Sequence, residues 1–196
     1  MNKQRRELYF VASILAITLA GGAYFGYHHR AVSIQRAQAH TQTWLEGPRA
    51  MAKLMIDRYG PPNALAPDTA TWYEREPWKR ITVHGDAPLS YLEQTVGYSV
   101  PPDAAAPLRE FGHGLRFDIA NDELSATSNS ELLNVLALNL ADELCAAKRD
   151  PKEASDYYVR TARLAAAGKS SPYSEKLRFE PYRRIPLEPW NREIGY

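Results

Sequence analysis

The chain has 196 residues, with 24 Lys and Arg against 23 Asp and Glu, and a single cysteine. Its hydrophobic share of 44% excludes wholesale disorder, and its net charge of +1 excludes a basic field that wraps nucleic acid. One cysteine excludes an internal disulfide framework, a four-cysteine zinc site and CxxCH haem attachment.

The first element is apolar. Leu8 to Tyr27 is a run of twenty uncharged residues, the length a helix needs to cross the hydrocarbon core. Tyr9 and Phe10 flank one end, and Tyr24, Phe25 and Tyr27 the other, as aromatic rings do at membrane interfaces. Lys3, Arg5 and Arg6 precede the run, while Arg30 and Arg36 follow it. With the α-amine, this small bias favours a cytoplasmic N-terminus, with the remainder facing the periplasm or cell exterior. The competing reading is a cleaved signal peptide, with Phe10 to Ala20 as its apolar core and Gly21-Gly22-Ala23 as the cleavage site. Both readings export the rest of the chain. Ala12, Ala16 and Ala20 share one face, and Gly22 and Gly26 form a GxxxG. Small residues at this spacing let another membrane helix approach closely.

Residues 1–30 are thus the expected anchor and 31–47 a polar stalk. An α+β domain is expected over 48–168, with an extended tail over 169–196. The first domain helix should start near Pro48, which suits a first turn. It should stop at Tyr59-Gly60-Pro61-Pro62. Strands follow over Thr71–Glu74 and Trp78–His84, joined by the turn Arg75-Glu76-Pro77. In the second strand, alternation sets Lys79, Ile81 and Val83 against Trp78, Arg80, Thr82 and His84. Leu92, Gln94, Val96, Tyr98 and Val100 alternate with polar or small neighbours, a half-buried strand. A short helix over Asp103–Phe111 and strands at Leu115–Ile119 and Glu123–Thr127 complete one antiparallel sheet of four or five strands. Ser128-Asn129-Ser130-Glu131 has the form of a capping box before the stripe Leu133, Leu136, Leu140 and Leu144. Asp150-Pro151-Lys152-Glu153 opens the next helix, which ends at Gly168. About three helices therefore pack on the sheet.

The tail contains Pro172, Pro181, Pro186 and Pro189 among Tyr173, Phe179, Tyr182, Trp190 and Tyr196. The prolines forbid a long helix. The aromatic rings call for burial, on the chain's own domain or on a partner, so these five aromatics are the candidate partner contacts.

Arg58-Tyr59-Gly60-Pro61-Pro62, Thr71-Trp72-Tyr73 and Pro77-Trp78-Lys79-Arg80 resemble a YGPP…W…PWKR pattern in a group of bacterial proteins without an established activity. Glu123-Leu124-Ser125-Ala126 and the run Leu136 to Asp142 share that resemblance. It covers residues 50–168 and implies a common fold but no chemistry. A helix ending in Gly-x-Pro before a Trp- and Tyr-bearing strand is also similar to small envelope α+β modules related to outer-membrane assembly lipoproteins. The lipobox cysteine of those proteins has no counterpart, because Cys145 lies in a helix.

No GxSxG, HExxH, P-loop or GxGxxG motif is present, and neither a cofactor nor a metal is expected. His28 and His29 sit at the membrane edge, and His84 ends a strand. His113, between glycines and near Asp118, is the only candidate for hydrolytic chemistry. Cys145 reads as a small buried hydrophobe. Asn134, Asn139 and Asp142 interrupt an apolar helix, where they can bind strand ends or line a pocket. Three functions are weighed. The first is a single-pass, membrane-anchored envelope protein acting as an accessory or scaffolding subunit. The second is a ligand-binding or sensory module with a pocket lined by Trp72, Trp78 or Tyr98. The third is a hydrolase using His113 and Asp118.

Overall fold

The computed structural model describes residues 32–182. The expected span, with Ala12, Ala16, Ala20, Gly22 and Gly26, lies outside the described residues, as do His28, His29, Trp190 and Tyr196. Among the described residues no helix is long and apolar enough to cross a membrane.

The chain is α+β. Six strands form one wholly antiparallel sheet: β1 (Ala64–Ala66), β2 (Thr69–Arg75), β3 (Trp78–His84), β4 (Leu92–Gly97), β5 (Leu115–Asp118) and β6 (Glu123–Ser128). Their order is β1-β2-β3-β4-β6-β5. The described helices are α1 (Ile34–Thr41), α2 (Glu46–Tyr59), α3 (Ala105–Phe111), α4 (Glu131–Cys145), α5 (Pro151–Ala166) and α6 (Pro172–Glu175). The sheet exceeds the expected four or five strands because the three-residue edge strand β1 is too short to show alternation. Six helices stand against about three expected: four lie in the expected domain, counting the short α3, while α1 lies in the expected stalk and the single turn α6 in the expected tail.

Register sets the two faces of the sheet. Trp72 faces Ile81, Ile81 faces Gln94, and Gln94 faces Ala126, while Val83 faces Leu92 and Val96 faces Leu124. These side chains are buried on one face, under α2 and α4. Directly opposed residues share a face in an antiparallel pair. The other face therefore carries Thr82, Arg80, Glu93, Thr95, Glu123 and Ser125. Trp78 breaks the expected alternation, since it is buried together with Ile81 and Val83. The ladder pairs Tyr73 with Arg80 and Arg75 with Trp78, but skips Glu74 and Lys79, and Glu74 has a φ of 51°. This left-handed residue turns the end of the hairpin, so the Trp78 indole passes beneath the end of α2.

There the buried indoles find acceptors, as indole N–H groups generally do. Trp72 Nε1 donates to the Gly60 carbonyl at 2.8 Å, and Trp78 Nε1 to the Tyr59 hydroxyl at 3.1 Å. Tyr59 in turn donates to Glu131 at 3.0 Å, and Arg58 pairs with the same carboxylate. The expected capping box at Ser128 does not form. The N-cap of α4 is Ser130, so Glu131 is the first helical residue, too early to reach back, and it binds the end of α2 instead. Ser128 Oγ accepts from the Ser130 amide. At the expected helix start Asp150 a capping box does form: the Glu153 amide donates to Asp150 at 2.8 Å, and the Asp150 amide to Glu153 at 3.4 Å.

The expected stalk is part of the domain. Val32, Ala37, Thr41 and Trp44 are buried. His40 Nε2 meets the Ala66 carbonyl at 2.7 Å, and Trp44 Nε1 donates to the Pro67 carbonyl at 3.3 Å. The Trp44 ring lies flush on Gly85, where a Cβ would come within 2.3 Å of it.

At the other end of the chain, α4 holds the strap that follows α5. Asn139, 1% exposed, donates to the Tyr173 and Lys176 carbonyls, each at 2.9 Å, and accepts from the Arg178 amide at 2.7 Å. One amide thus satisfies three backbone groups that would otherwise be stranded at a buried site. Asn139→Ala should lower unfolding stability by about 2–4 kcal/mol, given about 1 kcal/mol per bond plus the cost of orphaned groups. Urea denaturation measures the loss, and trypsin should cut sooner after Lys176 and Arg178 than in the parent chain.

Candidate functional site

The strap ends in the feature with most scope for binding. Beyond the pair Arg80 and Thr95, β3 and β4 no longer pair, because Trp78 has turned inward. This frees the Gly97 carbonyl, and the Tyr182 amide donates to it at 2.7 Å. A Cβ on residue 97 would sit 1.9 Å from the Tyr182 carbonyl oxygen. Glycine is required here for that close backbone approach. Around this junction lies a groove of about 480 Å³, lined among others by Trp78, Lys79, Gly97, Asn121, Asp122 and Tyr182.

The candidate partner aromatics divide. The Tyr173 ring packs with Tyr157 at 5.1 Å and its hydroxyl donates to Glu143. Phe179 meets Tyr98 edge-to-face at 5.2 Å. Both rings are held by the chain's own domain. Tyr182, 54% exposed, is the described member of the set that faces solvent.

The open sheet face carries a compensated charge network. Lys79 and Arg80 both bind Glu123, at 2.8 Å and 3.0 Å. Arg80 also donates to Thr95 Oγ1 at 3.3 Å and lies 3.9 Å from Glu93. Burial pushes the Glu123 carboxyl up, but Lys79 and Arg80 outweigh it and hold the group below its usual range. These basic groups are therefore engaged, and Trp78 is 2% exposed, so the pairing of aromatic and cation legible in the sequence makes no stacking platform for bases. At the edge of the network, His84 Nε2 lies 3.6 Å from Glu93. The neighbouring Glu93 carboxylate raises the imidazole's affinity for its proton despite burial, with Asp86 and Asp68 adding to the effect. The same contact lowers Glu93, helped by Arg116 and Arg80.

The hydrolytic candidates do not converge. Asp118 accepts from the Ala120 and Asn121 amides and from the Asn121 side chain, closing its own turn. His113 instead places Nε2 2.8 Å from Ser155 Oγ on α5 and stacks on Tyr158 at 4.1 Å. Burial lowers its pKa, favouring the neutral ring. This Ser–His pair was not legible in the sequence, since residues 42 positions apart carry no shared signal. Its other ring nitrogen has no carboxylate partner among the described residues, so the orienting member of a triad is missing. Cys145 is half-buried beside Tyr98, and burial raises its thiol pKa, the reverse of an activated nucleophile. Among the described residues no group of three or more His, Cys, Asp or Glu could hold a metal ion.

Asn134 and Asp142 bind structural partners. Asn134 donates to the Leu92 carbonyl at 3.0 Å and to Gln94 at 3.1 Å, and Asp142 accepts from Tyr98 at 2.9 Å. Trp72 is wholly buried, and Tyr98 is closed off by Phe179. Of the three aromatics expected to line a pocket, Trp78 alone reaches the groove. Comparison with protein-family models, with curated proteins and with solved structures gave no match to this chain.

Two outcomes follow from this geometry. Gly97→Ala should displace the end of the strap while leaving the rest of the sheet intact. Hydrogen exchange should show faster amide exchange at Tyr182, with β4 residues from Leu92 to Val96 unchanged. The His84–Glu93 contact should make stability pH-dependent. A histidine that binds its proton more tightly when folded stabilises below its unfolded pKa and loses that contribution as pH rises through its folded pKa. Glu93, held low, stabilises above its unfolded pKa and loses that contribution as pH falls through its folded pKa. Urea midpoints between about pH 3 and about pH 9 should therefore favour the parent over His84→Gln most strongly between the two groups' ordinary ranges, with the difference shrinking on either side.

Proposed function

We propose that the protein is a single-pass, membrane-anchored envelope protein, with its domain on the periplasmic side of the bacterial inner membrane. It acts as an accessory or scaffolding subunit of a larger membrane complex. The observation that carries this reading is where the two chain ends meet the sheet. The N-terminal segment is fixed at the Pro67 and Gly85 end, through Trp44 and the Leu45 amide. The C-terminal strap is fixed at the opposite end, at Gly97. β3 spans the interval with seven residues, about 20 Å at the usual rise per residue. The domain is thus a rigid spacer between an anchor and a terminal segment of 14 residues that contains Pro186, Pro189, Trp190 and Tyr196. A proline-restrained segment with aromatic anchors suits docking on a partner at low entropic cost. Tyr182, Trp190 and Tyr196 are the partner contacts in this reading, and Ala12, Ala16, Ala20, Gly22 and Gly26 pack against a partner helix in the membrane.

The groove beside Tyr182 favours the ligand-binding alternative, but it is open at the surface, Trp78 gives it little ring area, and Lys79 is already paired with Glu123. The hydrolase reading loses its motivation because His113 and Asp118 have separate partners.

Photo-crosslinking residues substituted at Trp190 and Tyr196 should give discrete protein adducts in intact membranes. Deleting residues 183–196 should abolish co-migration with the larger species in gentle detergent, without changing the far-ultraviolet circular dichroism. Migration of the intact chain as a monomer, with no adduct at either position, overturns the scaffolding reading.

A further inference from the structure

The end of the sheet where the chain enters carries apolar side chains that the domain does not use. Leu89, in the connection from β3 to β4, is 77% exposed, and Leu45 is 48% exposed. They belong to one end of the fold. The Leu45 amide donates to the Gly85 carbonyl at 3.3 Å, and Gly85 opens the connection that holds Leu89. The Tyr91 ring, which closes that connection, lies against Gly47 at the start of α2. Ile34, 43% exposed, lies in the first turn of α1, the helix through which the chain enters. The opposite end, by contrast, is where the strap leaves beside Gly97.

We propose that this entry end rests on the bilayer surface, with Leu45 and Leu89 in the interfacial layer. The inference builds on the anchor reading of Leu8–Tyr27 and adds which surface faces the lipid. Chain reach supplies the argument. Val32, the first described residue, is already packed on the domain, five residues after Tyr27. Fully extended, five residues cover at most about 18 Å. The headgroup region of each leaflet takes up about 5–7 Å of that. The segment that would have lifted the domain away is instead docked on it over residues 32–47, through Ala37, Thr41 and Trp44. A domain on so short a lead stays against the membrane. The exposed leucines then meet lipid, where their burial is favourable. Charge at this end is mixed, with Arg36 and Arg49 against Glu46, Asp68 and Asp86. Apolar contact rather than headgroup charge therefore carries the association, and it should depend little on anionic lipid.

The test uses the full chain reconstituted into vesicles of phosphatidylcholine with a minor share of phosphatidylglycerol. In a Cys145→Ala background, an environment-sensitive fluorophore is attached at Leu89→Cys, at Leu45→Cys, or at Ile119→Cys. Ile119 is 47% exposed in the β5–β6 turn, at the opposite end of the sheet. The expected result is a blue shift and loss of iodide quenching at 45 and 89, with quenching by spin-labelled lipid, and neither effect at 119. The pattern should persist in vesicles of phosphatidylcholine alone. Equal iodide quenching at 89 and 119, on protein that resists carbonate extraction, overturns this proposal and leaves the anchor standing. Release of the protein by carbonate removes the anchor reading itself. Protection at 45 and 89 that vanishes when the protein is diluted among excess vesicles assigns the surface to a second protein molecule, and equally overturns contact with lipid.

Discussion

The fold depends on a helix buried on nearly every side that still has to hold polar neighbours in place. In α4, residues 134–141 are continuously buried, and the sequence there includes Asn134 and Asn139. Leucines could fill this volume, but they would leave the Leu92 carbonyl and the strap backbone without partners. Asn134 fixes the helix to β4, Asn139 fixes the strap to the helix, and Asp142 fixes Tyr98 just beyond β4. Each bond contributes little net stability, while each missing bond would cost more, so the three residues act chiefly on position. The match is incomplete. Gln94 Nε2 and Asn134 Oδ1 face the core without partners, a cost carried by the surrounding apolar contacts.

A second set of polar bonds explains the pattern of tyrosine, glycine and tryptophan that stands out in the sequence. Tyr59, Gly60, Trp72 and Trp78 converge at the end of α2, where the acceptors are one carbonyl and one hydroxyl. Lys79 and Arg80 continue onto the open face, where Glu123 neutralises both. The pattern therefore describes how a helix end is nailed to a hairpin. It does not describe a catalytic centre, although in sequence aromatic and basic residues side by side suggest a binding surface.

The sequence conveyed most where the signal was local. Strand β3 and the helix start at Asp150-Pro151 follow from residue types and capping chemistry within a few residues. Inward-facing Leu92, Gln94 and Val96 were legible for the same reason. What escaped was set by distant partners. The polar stretch over 31–47 looked like a stalk because the faces that bury Ala37 and Trp44 belong to residues around Ala66, Pro67 and Gly85. Alternation groups Trp78 with Arg80 because it assumes a regular strand, and the left-handed Glu74 interrupts that regularity. The requirement for glycine at 97 had a faint signal, an isolated glycine in a strand, but nothing to say which segment approached. Of the five tail aromatics, Tyr173 and Phe179 could not be told from Tyr182 in the sequence, because burial of the strap depends on Asn139, more than thirty residues away.

The same geometry separates binding from catalysis on physical grounds. Catalysis needs groups poised against a reacting atom, and the titratable candidates among the described residues have other partners or lack one that the chemistry needs. Asp118 closes a turn, Glu93 and Glu123 neutralise cations, Cys145 is kept protonated by burial, and His113, though neutral and beside Ser155, has no orienting carboxylate among the described residues. The exposed apolar side chains are different in kind, and they include leucines at the entry end and Tyr182 at the exit end where the strap leaves the sheet. Residues of this type contribute by excluding water from a contact rather than by moving protons. Their separation along the strands gives the two ends different neighbours, Pro67 and Gly85 at one and Gly97 at the other.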